Sequence, residues 1–199
     1  MVGKTSILLR YIQGKFIKVE ERTVNTNCFK KIVSMNNITF EINIWDTAGE
    51  EKYHALTPIF YRGADGAVIT FDCTRKETFE KAEEWFKELN DFAENNPTII
   101  LVGNKMDLPN KCVSNNEGRE LAQKYNGIYL EVSALDGTNI DEIFSMLALE
   151  IYHNKMKRNK KLKEKNQILV NNDKENLKKK KKKSAVSEKG FFVFFYQRK

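Results

Sequence analysis

Residues 38 to 45, Ile-Thr-Phe-Glu-Ile-Asn-Ile-Trp, alternate apolar and polar side chains and then stop at an acid, Asp46, with Gly49 three residues on. The alternation has the period of a half-buried strand. An acid at the carboxyl end of a strand stands on the rim of the sheet, where open α/β folds bind ligands. There a carboxylate can hold a metal ion, and a glycine lets backbone N–H groups approach a phosphate. A plain strand and turn has the same local pattern, so its meaning depends on what else reaches that rim.

The rest of the chain supplies the company. Residues 28–35 and 38–45 read as strands joined by a tight turn at Asn36-Asn37. Residues 66–72 read as a buried strand. Residues 77–94 carry apolar side chains at helical spacing, with Thr78 as the candidate cap. Residues 98–102 form a short apolar strand, and 117–125, 128–132 and 140–152 read as helix, strand and helix. Strands alternating with helices imply parallel βαβ units and a doubly wound, mostly parallel α/β sheet.

Three further fragments fall at the ends of these strands or at a helix start. Gly3-Lys4-Thr5-Ser6 opens an apolar helix and is the second half of a phosphate-binding loop. N–H groups at a helix N-terminus favour anions, Lys4 adds a point charge, and the Thr5 hydroxyl can ligate Mg²⁺. Asn104-Lys105-Met106-Asp107 follows the short apolar strand, and Ser133-Ala134-Leu135 follows the last one. An aspartate can accept two N–H protons from guanine, whereas adenine presents a donor where guanine has O6, so such a pair discriminates between bases.

Taken together, Gly3-Lys4-Thr5-Ser6, Thr23, Trp45-Asp46-Thr47-Ala48-Gly49, Asn104-Lys105-x-Asp107 and Ser133-Ala134 resemble the Ras superfamily of small GTPases. Trp45 and Phe60-Tyr61-Arg62-Gly63-Ala64 look like the Rab branch, and residues 53–62 are most similar to the endosomal Rab group. The resemblance covers Val2 to about Tyr152 and implies the P-loop NTPase fold. It also implies a GTP/GDP switch with slow GTP hydrolysis that regulates vesicle trafficking.

Carried over position by position, Gly3, Lys4, Thr5 and Ser6 would cradle the phosphates. Thr5 and Thr23 would ligate Mg²⁺, with Asp46 holding the ion through water. The Gly49 N–H would sense the γ-phosphate, and Glu50, Lys4 and Thr23 would serve catalysis. Phe16 would pack on guanine, Asn104 and Asp107 would read it, and the Lys105 stem would cover it. Ser133, Ala134 and Leu135 would close the site, with the Ala134 N–H on the base oxygen. The switch regions around Thr23 and Glu50, with Trp45 and Phe60, would meet the exchange factor, GTPase-activating protein and effectors. The resemblance implies a cytoplasmic monomer, on the cytosolic face of endosomal membranes if lipidated.

Departures from the family pattern set further expectations. Glu50 stands where the family has the glutamine that orients the attacking water, and a carboxylate cannot donate as an amide does. Cys28 replaces an effector-facing phenylalanine, and Leu135 replaces a lysine after Ser-Ala. The family's first strand, which lies between the strands ending here at Asp46 and Asp72, and the first half of its phosphate loop have no counterpart before Met1. An upstream, in-frame segment is therefore expected, since the two strands would otherwise expose unpaired backbone or re-pair.

Charge divides the chain. Beyond residue 154 lie 17 of the 34 Lys and Arg but 4 of the 27 Asp and Glu, a net of +13; residues 1 to 154 carry −6. The body is mildly acidic, which argues against nucleic acid as a partner. Residues 1–154 are expected to form the G domain and 155–199 a disordered, Lys- and Asn-rich tail. The run Lys178 to Lys183 offers attraction to an anionic membrane surface. The ending Phe191-Phe192-Val193-Phe194-Phe195-Tyr196-Gln197-Arg198-Lys199 carries no prenylation cysteine. So many consecutive aromatics would be an aggregation hazard if exposed, and are expected to stem from an error downstream. Cys28, Cys73 and Cys112 have neither disulfide nor zinc spacing.

Overall fold

The structure is a computed structural model that describes residues 1–19, 23, 26–35, 37–46, 63–94, 96–172 and 190–196, with backbone alone for 165–172, 190–192 and 194–196. Helix α1 (Lys4–Gln13) is followed by β1 (Asn27–Met35) and β2 (Ile38–Asp46), an antiparallel pair whose turn holds Asn37 at φ 62°. Then come β3 (Gly66–Asp72), α2 (Lys76–Phe92), β4 (Thr98–Asn104), α3 (Asn115–Lys124), β5 (Ile128–Glu131), α4 (Ile140–Asn172) and β6 (Gly190–Tyr196). One six-stranded sheet results, in the order β1-β2-β6-β3-β4-β5, parallel everywhere except between β1 and β2.

Alternation along the central strands sorts their side chains onto two cores. Val68, Ile100 and Val102 join Ile7, Leu8 and Tyr11 of α1 and Ile143, Phe144, Leu147 and Ile151 of α4 on one face. Ala67, Ile69, Phe71, Ile99 and Leu101 join Trp85, Phe86 and Leu89 of α2 and Leu121 of α3 on the other. All seven residues of β3 are buried, as a strand covered on both faces must be. Helix α4 approaches β3 so closely that a Cβ on Gly66 would lie 2.8 Å from the Ile151 Cδ1, so a larger residue there would have to displace Ile151 and Leu147.

The expected α/β class and doubly wound sheet are what the structure has, but three details differ. The helix expected to end at Tyr152 runs to Asn172, so residue 154 marks no break and residues 155–172 are helical rather than disordered. Its second part is fastened by polar contacts: Asn154 donates to the Thr98 hydroxyl (3.2 Å), Lys155 pairs with Asp65 (2.6 Å), and Arg158 donates to the Asn96 carbonyl (3.2 Å). Thr78 is not the cap of α2. It lies in the first turn, accepting from the Asp72 N–H (3.0 Å) and donating to the Arg75 carbonyl (2.8 Å), while Arg75 takes the cap position.

The third difference concerns the sheet centre. β2 and β3 are neither left open nor paired with each other: β6, from the Phe-rich stretch, lies between them. It runs parallel to both, pairing Glu41↔Gly190 through Asp46↔Phe195 on one side and Gly66↔Val193 through Ile69↔Tyr196 on the other. Val193 is 1% exposed and belongs to the core shared by α1 and α4. Backbone polar groups at the centre of a sheet need partners, and an aromatic-rich segment suits a strand.

Candidate functional site

The carboxyl ends of β2, β3, β4 and β5 bring Asp46, Asp72, Asn104 and the loop after Glu131 to one rim, and α1 begins beside it. On the α1 side, Gly3 caps the helix at φ 94°, where a Cβ would stand 2.5 Å from the Asn104 Nδ2. Only glycine satisfies both the left-handed backbone and that approach. Lys4 follows as the first helical residue and is almost fully buried, and burial lowers its pKa to about 8 against the raising influence of Asp46.

The Thr5 hydroxyl lies 2.7 Å from the Asp46 Oδ2, to which it donates, and 2.8 Å from the Thr23 hydroxyl. Asp46 is fully buried, and its second oxygen, Oδ1, has no hydrogen-bond partner among the described residues. Burial raises its pKa, while the Thr5 hydrogen bond and the Lys4 charge oppose the shift. An unpaired buried carboxylate oxygen is costly. The donor set of one carboxylate and two hydroxyls, all oxygen, fits a hard cation such as Mg²⁺ that keeps further positions for water or phosphate.

On the opposite side the polar groups satisfy one another. Asn104 is 2% exposed; its Nδ2 donates to the Val2 carbonyl (2.8 Å) and its Oδ1 accepts from the Ala134 N–H (3.1 Å). One side chain thus ties the loop before α1 to the loop after β5. The Ser133 hydroxyl donates to the Asp107 Oδ1 (2.6 Å), Asp107 itself being exposed. Arg10 of α1 donates to the Asp136 carbonyl (2.7 Å), tying the helix itself to the loop after β5.

Lys105 sits at φ 68°, a left-handed conformation that costs a non-glycine residue about 1–2 kcal/mol. It is held by an ion pair with the Asp72 Oδ2 at 2.5 Å and also donates to the Met1 carbonyl (3.4 Å). Burial pushes the Asp72 carboxyl up. Hydrogen bonds from Lys105 and from the Thr74 side chain and N–H outweigh it, so its pKa is lowered.

Of the residues expected at the site, Gly3, Lys4, Thr5, Thr23 and Asp46 come together on one side, and Asn104, Lys105, Asp107, Ser133 and Ala134 on the other. Ser6 lies within α1. Phe16 lies beyond the end of α1, 37% exposed, and Leu135 is 54% exposed. Gly49, Glu50 and Phe60 fall outside the described residues. Trp45 is partly buried against the α2 core, and Cys28 is exposed on β1. Sequence reasoning missed Asp72 as the anchor of Lys105. The available signal was an acid ending a buried strand, the same signal that singled out Asp46.

Residues 1–153 match the Ras family. Similar proteins include the Ras-related protein RABA2b of Arabidopsis thaliana, 40% identical over 153 residues that make up 76% of this chain and 72% of that protein. The Ras-related protein Rab2BV of Beta vulgaris and the Ras-related protein Rab11C of Lotus japonicus are each 39% identical over 153 residues. Those matches cover 76% of this chain in both cases and 72% and 71% of the two proteins.

Proposed function

Because the chain belongs to the Ras family, as a Rab-type small GTPase that acts as a switch in vesicle trafficking, we propose that the rim between α1 and the β5 loop is its guanine-nucleotide site. The observation that carries this reading is the buried Asp46 with one oxygen unpartnered among the described residues, beside two hydroxyls and a desolvated lysine at a helix start. Such a cluster is balanced only when a cation and an anion bind together.

Lys4 and the first N–H groups of α1 bind the β- and γ-phosphates. Thr5 and Thr23 offer hydroxyl oxygens to Mg²⁺, and Asp46 holds it through water. Mg²⁺, when bound, offsets the charge on the phosphates. Asn104 and Asp107 receive the base, the Ala134 N–H meets its oxygen, the Lys105 stem covers it and Phe16 packs on it. Ser133 orients Asp107 through its hydroxyl. Gly49 and Glu50 complete the γ-phosphate end, with Glu50 slowing hydrolysis because it cannot donate to water as an amide does.

Regulators and effectors meet such a GTPase through its switch regions. Here those are the segments around Thr23 and Glu50, with Trp45 and Phe60. Membrane association follows from the Rab relationship, and we place it at the cytosolic face of endosomal membranes, aided by Lys178 to Lys183. The protein acts as a monomer and takes no nucleic acid.

Base discrimination is the most direct test. Asp107→Asn removes a charge-assisted pair of hydrogen bonds and is expected to weaken GDP binding by roughly 10- to 100-fold, measured by titration calorimetry with Mg²⁺ present. Equal affinity of the unaltered protein for ATP and GTP would refute the assignment.

A further inference from the structure

β6 is the one strand that both neighbours at the sheet centre depend on, and it is joined to α4 by the 17 residues from 173 to 189. α4 runs past the amino ends of β3 and β4, where Lys155 meets Asp65 and Asn154 meets Thr98. The chain therefore leaves α4 on the side of the sheet from which a parallel strand must enter. From there Gly190 aligns with Glu41, and Phe195 reaches the level of Asp46 on the ligand rim.

The position of β6 links the two halves of the phosphate cluster. Asp46 is the last residue of β2, which β6 pairs along its final six residues. Lys4 and Thr5 open α1, whose Ile7 and Leu8 share a core with Val193 of β6 and Ile44 of β2. With β6 withdrawn, β2 loses the partner on its inner edge and α1 loses part of the core beneath its first turns. Both would shift the Lys4, Thr5 and Asp46 groups against one another, and these must stand within hydrogen-bond reach to act together.

We propose that Gly190–Tyr196 is a docking strand, seated intramolecularly in a slot between β2 and β3, and that its seating and ligand binding at the Lys4–Thr5–Asp46 cluster are thermodynamically coupled. The coupling rests on the nucleotide reading given above; the docking does not. Coupling between linked sites is reciprocal, commonly about 5- to 150-fold in affinity. A bound guanine nucleotide therefore holds β6 in place, and an undocked β6 weakens the nucleotide.

Hydrogen exchange on the full chain decides the docking. Amides of 191–196 are expected to exchange as slowly as those of β3, and more slowly still with GDP and Mg²⁺. Exchange at free-peptide rates, with and without GDP, would overturn the proposal. Val193→Asp places a charge in the core at the strand's centre and is expected to release these amides and to weaken GDP by roughly 10-fold or more; unchanged exchange and affinity would also overturn it.

Complementation guards against a variant that simply fails to fold. A chain shortened to residues 1–186 is expected to lose GDP affinity or cooperative melting, and a synthetic peptide of residues 187–199 in excess is expected to restore it. A shortened chain that binds and melts like the full one, or that the peptide leaves unaltered, counts against the docking strand. If the full chain binds no GDP while 191–196 are protected, the docking stands and the coupling falls together with the nucleotide reading.

Discussion

The two sides of the rim solve the problem of buried polarity in opposite ways. Around Asn104 each group has a partner within the chain: Nδ2 on Val2, Oδ1 on Ala134, Asp107 on Ser133 and Lys105 on Asp72. Around Asp46 an oxygen has no partner among the described residues and a lysine is desolvated. The first side is internally satisfied. The second carries the cost of a buried carboxylate. On the proposed nucleotide assignment, the satisfied side would give selectivity and the unsatisfied side affinity.

The contrast is sharpest when one residue is altered on each side. Asp46→Asn is expected to give the largest effect on binding, about 100-fold or more in Mg²⁺-dependent GDP affinity, from losing a charged contact of roughly 3 kcal/mol. The same change should alter the melting temperature of the ligand-free protein little, because losing the burial penalty of the carboxylate offsets losing its attraction to Lys4. A ligand-free protein that melts much lower would mean that Asp46 is structural.

Asn104→Ala should do the reverse. It strands the Val2 carbonyl and the Ala134 N–H, and is expected to cost about 2–3 kcal/mol of stability without any ligand, measured by denaturant unfolding. Unchanged stability would remove the distinction between the two sides.

A smaller effect is expected for Lys105→Met, read in acid. Asp72 has a lowered pKa in the folded protein, so the unfolded chain takes up the proton first. Its contribution to stability is complete above the ordinary carboxylate value of 3.8 and is lost as pH falls through the folded value. Removing Lys105 should move the acid-unfolding midpoint to higher pH, followed by circular dichroism. The smallest change belongs far from the rim. Ser114 caps α3 in a reciprocal pair with Glu117, and Ser114→Ala should cost about 1 kcal/mol of stability while leaving GDP affinity untouched.

Much of this could be read from the sequence because it is local. The alternation of residues 38–45, the buried run 66–72 and the acid Asp46 that ends its strand all depend on neighbours a few positions away. What escaped depends on distant partners. The apolar period of α4 fades after Tyr152, and the helix continues on lysine-rich turns fastened by Asp65, Thr98 and Asn96, contacts about 60 to 90 residues away in sequence. Thr78 sits where a cap should be by residue type, but its hydroxyl is taken up by Asp72 and Arg75, and the helix starts at Lys76, before it. The aromatic run 191–196 has strand propensity, yet nothing within it specifies the slot it enters.

The order of the strands also has a consequence in time. Val193 pairs with Ile44 and Gly66, which precede it by 149 and 127 residues. At about 5 to 20 residues per second, a ribosome makes β6 roughly 6 to 30 s after its two neighbours. Throughout that interval β2 and β3 exist without the strand that separates them in the finished sheet. The centre of this protein can close only after β1 through α4 have been synthesised, so its final folding step follows translation of nearly everything it joins, and a chaperone or a nascent neighbour meets two open strand edges before β6 does.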